Sequence, residues 1–496
     1  MLKNLAKIVQ DVESNCIKDK CRVFYNELVS QLNHLGESNV KKSIRTISLT
    51  LVSIMMASMI TACGSNSNSP SSTSSNSATA SPGSDATKKA PAKITMFLDA
   101  AKAKNPTYTD LVSEYNALGG DQVEVNVLPG DGVAAMQKMD ILMSSGDTTD
   151  VVVLDNPLIQ KKYAAAGYLA PINDLAKTAN VDLEKTFGQY LAKEDDGKSY
   201  YLRTDVGQWY VFYNKQLFDD AKVPYPSGKW TWSQYIETAK KLTNTQKGIY
   251  GSLMLDYDNY LNFTARQKNV PAYKKDGTSN YDDPAYKDAL KFFGDLGNVQ
   301  KIQPSWLEFK TQKVAWDAFM SGKYGMHLIG GWYMGLLTDK KSYPITWKWG
   351  ITQVPVPDSG DGDRTLVAGG AFGVNSKSKN KDASFKFVNY LAQNAYKKGK
   401  GIPPLQSITD ADKTAVLKGI ADASDGSVTV DDLRKVIFDS GLGVADEKIS
   451  GPGASIISQT ILQEGELYMV GQKSLDDAIG AIKKKSDEAI KADAKK

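Results

Sequence analysis

From residue 93 onward the apolar positions alternate between two periods. Ile94-Thr95-Met96-Phe97-Leu98 is a short, nearly unbroken apolar run and predicts a strand. A helical stretch follows around Tyr108–Leu118, then a strand at Val123–Leu128. Ala134–Ser144 carries its apolar residues at helical spacing until Gly146-Asp147 stops it. Val151-Val152-Val153-Leu154 is bare of polar residues and bounded by them, the pattern of a buried parallel strand. Repeated strand–helix–strand units predict an α/β domain with helices on both faces of a sheet. Ligands of such sheets bind beyond the carboxyl ends of the strands, where Asp99 and the Asp155-Asn156 pair stand after the first and third runs. The same residues also suit helix capping or turn formation.

The first hundred residues follow a different pattern. Lys41, Lys42 and Arg45 precede an uncharged run from Thr46 to Ala62, which ends at Cys63. A positive region, an apolar region and a small-residue cleavage site make a signal peptide over 40–62. The run is shorter than the ~20 residues of a comfortable spanning helix. Ile60-Thr61-Ala62-Cys63-Gly64 resembles the lipobox of bacterial lipoproteins, which implies that Cys63 becomes the lipid-modified N-terminus. Residues 63–92 are rich in Ser, Asn, Thr, Ala, Gly and Pro, too poor in apolar surface to offset ordering entropy, and read as a flexible tether. Residues 1–39 fit no part of a signal peptide. They reflect a start codon assigned too far upstream, or a cytoplasmic extension with Leu5, Ile8, Val9 and Val12 on one helical face.

Composition narrows the chemistry. The chain has 496 residues and a formal charge of +4, with 60 basic side chains of which only six are Arg. Arg is the side chain suited to bidentate phosphate and base contacts, so nucleic acid is not an expected partner. The two histidines, His34 and His327, are far apart, and three cysteines, Cys16, Cys21 and Cys63, all lie near the start. No metal site and no thiol nucleophile are expected. Gly-x-Gly-x-x-Gly, the P-loop and the Gly-x-Ser-x-Gly elbow are all absent, so no cofactor and no hydrolase nucleophile are expected either. Asp422–Asp432 has an EF-hand glycine at Gly426 but Ala421 and Ala423 where Ca²⁺ needs carboxylates, and reads as a helix–loop–helix connector.

Four ordered motifs carry a resemblance. Tyr213-Asn214-Lys215-Gln216-Leu217-Phe218 runs on to Pro224, Pro226, Thr231-Trp232 and Ala239–Leu242. Asp150–Leu175 contains Gly167-Tyr168-Leu169-Ala170-Pro171-Ile172-Asn173-Asp174-Leu175. Ala318–Met326 precedes Gly330-Gly331-Trp332, and Gly369–Ser376 precedes Asn380–Ala383 and Phe387–Leu391. Together they resemble the extracellular solute-binding proteins of the maltose-binding type, which serve ABC importers of sugars, over roughly 93–490. Two departures stand out: His327 after Met326, and a long acidic insert around 408–440.

The resemblance implies an α/β, two-lobe periplasmic-binding-protein-like fold with hinge-crossing strands and an interlobe ligand cleft. Lobe 1 would comprise 93–205 and 367–400, and lobe 2 would comprise 206–366 and 446–496, with the acidic helical insert 401–445 left without a lobe. Crossings are expected near Asp205–Phe212 and Val367–Gly373. A sugar presents an apolar C–H face and a rim of hydroxyls, so it calls for flat aromatics beside carboxylates. Trp332 and Trp209 are the leading candidates, with Tyr210, Asp99, Asp155, Asn156, Asp205, Asp256 and Gly370 beside them. Trp230 and Trp232 are assigned to helix packing, and Trp306, Trp316, Trp347 and Trp349 to core or surface. The expected partners are a carbohydrate, the ABC permease with its ATPase, and a membrane held through lipid. A monomer on the outer face of a Gram-positive membrane is expected. An extracellular glycosidase and a sugar-sensing lipoprotein paired with a membrane kinase are the alternatives.

Overall fold

The computed structural model describes residues 90–493, apart from 101, 130–132, 195, 399–400 and 450. The extension 1–39, the signal segment 40–62, Cys63 and the tether through residue 89 lie outside the described residues. In chain order the strands are β1 (Lys93–Asp99), β2 (Gln122–Leu128), β3 (Val151–Leu154), β4 (Tyr201–Arg203), β5 (Gly207–Asn214), β6 (Tyr250–Leu253), β7 (Tyr324–Gly330), β8 (Trp349–Gln353), β9 (Arg364–Ala368), β10 (Ala371–Val374) and β11 (Gly443–Asp446).

They form two sheets, one per lobe. Lobe 1 has the order β2-β1-β3-β10-β4, parallel from β2 to β3 and antiparallel where β10 enters between β3 and β4. Lobe 2 has β11-β9-β5-β7-β6, with β8 also pairing β5. The bare run Val151–Leu154 is a fully buried strand, parallel to β1, because helices cover it on both faces. One core gathers Ile94, Met96, Val151–Leu154 and Phe372 with Phe385, Phe387 and Val388 of the helix Lys381–Lys398. The other gathers Val211, Phe212, Leu328, Trp349 and Leu366.

Three segments join the lobes. Thr204–Val206 links β4 to β5, Gly369-Gly370 links β9 to β10, and Gly401-Ile402 leads from Lys381–Lys398 toward the helix Asp410–Ala423. They are stitched side by side: Thr204 N–H donates to Gly370 O at 2.9 Å, and Val206 N–H donates to Ile402 O at 2.9 Å. A Cβ at Gly369 would lie 2.0 Å from Asp205 O, so only glycine allows this approach. The segment 401–445 adds Val416, Leu417, Ile420, Leu433 and Ile437 to the core of the second lobe. Asp425 in its turn pairs with Lys340 and, at 3.2 Å, with Lys348, so the connector is held by charges from that same lobe.

The family-like motifs have local physical roles. Asn214 ends β5 and caps Lys215–Ala221, its side chain accepting from Leu217 N–H, while Phe218 is buried. Thr231 and Gln234 form a reciprocal capping box at Trp232–Leu242. Trp230 donates to Gln353 O and Trp232 to Gln267 Oε1, both at 2.8 Å, inside the core. His327 is buried on β7 with Nδ1 3.0 Å from Leu253 O, and burial pushes its pKa down to about 4. Among the described residues no helix is long and apolar enough to cross a membrane.

Candidate functional site

A cavity of about 430 Å³ opens between the two sheets above the crossings. Its walls include Asp155, Asn156, Asp205, Tyr210, Trp332 and Gly370, six of the nine positions singled out from sequence. Asp155 and Asn156 arrive there because β3 ends at Leu154 and a helix begins at Pro157. Asn156 caps that helix, its Oδ1 accepting from Ile159 N–H at 3.1 Å. Asn156 therefore performs the capping role while standing on the cavity wall.

Trp332 follows Gly330-Gly331 at the end of β7. Gly331 N–H donates to Gln208 O at 2.7 Å, and a Cβ at Gly331 would lie 3.0 Å from the Tyr210 ring. The glycine pair thus lets the chain lie flat on β5 and turn the next indole outward. Trp332 remains 50% exposed, whereas large aromatics of the core are buried. A large apolar plane left in water on a concave wall is the kind of surface at which ligands bind.

Asp205 sits where the three crossings meet. Its Oδ1 accepts from Gly370 N–H at 3.1 Å, and a Cβ at Gly401 would lie 2.8 Å from the Asp205 Cβ. Burial pushes its carboxyl up to about 6, against the opposing pull of the Gly370 N–H, Lys102 and Arg203. Beneath the wall Lys102 bridges two carboxylates, 2.6 Å from Asp155 Oδ1 and 3.0 Å from Asp99 Oδ2. Burial lowers the pKa of Lys102, but the two carboxylates outweigh it and raise the ammonium on balance. Burial also raises Asp155, while Asp99, bonded by both the backbone N–H and the ammonium of Lys102, ends below its ordinary value.

Three expected positions stand elsewhere. Asp99 is 3% exposed and accepts from Lys102 N–H at 2.8 Å, one step behind the wall. Trp209 is 2% exposed and packs on Tyr260 and Phe263, because successive residues of a strand face opposite ways and Tyr210 takes the cavity side. Its Nε1 donates to Glu447 Oε2 at 2.9 Å. Asp256 pairs with Lys310 at 2.8 Å and is not on the cavity wall. Sequence reasoning missed Glu447, Ile402 and Ile420, which also line the cavity. No local motif marks them, since they come from the insert and the segment after it.

Two α/β lobes, three stitched crossings and a walled cavity directly above them define a two-lobed binding protein that encloses its ligand between domains. The chain belongs to the bacterial extracellular solute-binding protein family, whose model matches residues 101–398. It is thus a binding protein rather than an enzyme. An arabinooligosaccharide-binding protein of Halalkalibacterium halodurans is 24% identical over 226 residues, 45% of this chain and 49% of the relative. The chain spans about half the length of the curated relatives it matches. An ABC substrate-binding protein of Listeria monocytogenes, solved in complex with cycloalternan, is 23% identical with a TM-score of 0.63, covering 81% of this chain and 99% of that one. A sugar transporter protein of Rhizobium etli in an open conformation is 24% identical with a TM-score of 0.65, covering 79% and 98%. These structural likenesses carry the fold.

Proposed function

We propose that this protein captures an extracellular carbohydrate by hinge closure and delivers it to the permease of an ABC importer. The observation that carries this reading is Trp332, a half-exposed indole on a cavity wall that also bears Asp155, Asp205 and Glu447. A pyranose stacks its C–H face on such a plane and donates its hydroxyls to such carboxylates. The named ligands of the Listeria and Halalkalibacterium proteins, both saccharides, support the class of ligand. The lipobox-like Ile60–Cys63 supports a lipid anchor at Cys63 that tethers a monomeric receptor to the outer face of a Gram-positive membrane.

A thermal-shift screen of mono- and oligosaccharides identifies the sugar, since a ligand at a hundred times its dissociation constant stabilises by ~2.7 kcal/mol. Trp332→Ala then weakens that sugar by ~30–1000-fold in calorimetry, or ~2–4 kcal/mol. Trp349→Ala, which empties a core position, lowers stability far more than affinity. Trp332→Ala protein that folds and binds within about threefold of wild type removes the stacking role. Cys63→Ser releases the protein from the membrane fraction; full retention there with acyl chains attached contradicts the anchor.

A further inference from the structure

The polar groups of the cavity are unbalanced. Among the described lining residues three carry carboxylates, Asp155, Asp205 and Glu447, and none is a lysine or arginine. Carboxylates accept hydrogen bonds and donate none. The partners of two of them are neutral: Asp205 accepts from a backbone N–H, and Glu447 accepts from the Trp209 indole. Neither partner cancels charge. Lys102 reaches Asp155, but it is shared with Asp99, so that trio keeps a net negative charge. The next cations near the hinge, Arg203 and Lys161, are drawn to Asp446 at 2.6 and 3.2 Å. Tyr210 lines the same wall, its hydroxyl buried without a partner among the described residues.

A half-enclosed site with fixed negative charge and low-dielectric walls focuses its field on whatever enters. A neutral sugar meets it well, because each hydroxyl can donate to a carboxylate. An ammonium meets it better, through charge-assisted bonds. A ligand carboxylate or phosphate would set acceptor against acceptor and like charge against like charge, with no lysine or arginine among the described lining residues to relieve either.

We propose that this cavity selects its saccharide by charge, accepting neutral and amino sugars and excluding uronates and sugar phosphates. The selection rests on the carbohydrate reading above and adds to it the ligand's charge class. It assigns a second role to Glu447, which holds Trp209 on one side and repels anions on the other.

Isothermal titration of the full-length protein with matched saccharides tests it. The probes are glucose, galactose and mannose oligomers, their uronate counterparts and their amino counterparts, in 0.15 M salt at pH 7.5. The uronate is expected to bind at least a hundredfold more weakly than its neutral match, and the amino sugar at least as tightly. A gap of tenfold or more upholds the selection, and a smaller one overturns it while leaving the carbohydrate reading intact. Binding of no saccharide of any charge overturns both. Glu447→Gln and Asp205→Asn, each checked for folding by thermal denaturation, should narrow the neutral-to-uronate gap by threefold or more. A gap unchanged in both variants overturns the assignment to these carboxylates.

Discussion

Asp205 stands on the cavity wall at a cost to the fold. Its carboxyl is pushed up to about 6 from an ordinary 3.8 by burial, with Lys102, Arg203, Asp155 and the Gly370 N–H facing it. The folded chain therefore holds that proton more tightly than the unfolded chain, and stability rises as pH falls from above 6 toward 3.8. Asp205→Asn keeps an acceptor for Gly370 and deletes the charge. It should stabilise the protein at pH 7.5 by about 1–3 kcal/mol and lose that advantage near pH 4. Urea denaturation at the two pH values checks this, and an equal gain at both contradicts it. Trp332 is the aromatic counterpart: a half-exposed plane on the cavity wall that contributes little to the core, as the proposed stacking role requires.

Glycines at the level of elements divide by what a methyl group would meet. Gly369, between β9 and β10, faces the Asp205 carbonyl across a gap that no Cβ can enter. Gly369→Ala must push two crossings apart and should cost about 1–3 kcal/mol. Gly419 lies inside the helix Asp410–Ala423 with nothing within 4 Å of a Cβ. Gly419→Ala should stabilise by about 0.5–1 kcal/mol, because alanine loses less backbone entropy in a helix. Chemical denaturation of the pair should give shifts of opposite sign. The same contrast shows why a glycine pair at a hinge is informative and a helical glycine is not.

Across the whole molecule, Asp446 ties the lobes together. It ends β11 in the second lobe, yet its partners are Arg203 of β4 and Lys161 of the first, with Arg266 also donating to its backbone carbonyl at 2.5 Å. Burial alone would raise its pKa, but Arg203 and Lys161 outweigh burial and hold the carboxyl well below the usual range. That contribution is present above the unfolded value of 3.8 and is lost as pH falls through the folded one. Asp446→Asn takes the nearer counter-charge from two buried cations, leaving Lys161 only Glu194 at 3.8 Å, and should cost about 2–4 kcal/mol at pH 7. The difference from wild type should shrink steadily below pH 3.8. An unchanged difference at pH 2.5 would falsify the cross-lobe ion pair as its cause.

The elements and the family were legible in the chain because their signals are local. Val151–Leu154 has to be a covered strand, since it has no polar face to offer water. Tyr213–Phe218 has to turn from strand to capped helix, and Gly330-Gly331-Trp332 has to turn an indole away from its strand. Asp155 and Asn156 were found by the rule that ligands lie beyond strand ends. Local signals could not choose between Trp209 and Tyr210, because a one-residue step on a strand reverses the face and only the partners of β5 decide which face is core. Nor could they find Glu447, which meets Trp209 across 238 residues of chain. Its place on the wall exists only because β11 pairs with β9, beside β5. Contacts that cost nothing in sequence distance are written in the chain, and contacts that close long loops are decided by how the sheets assemble.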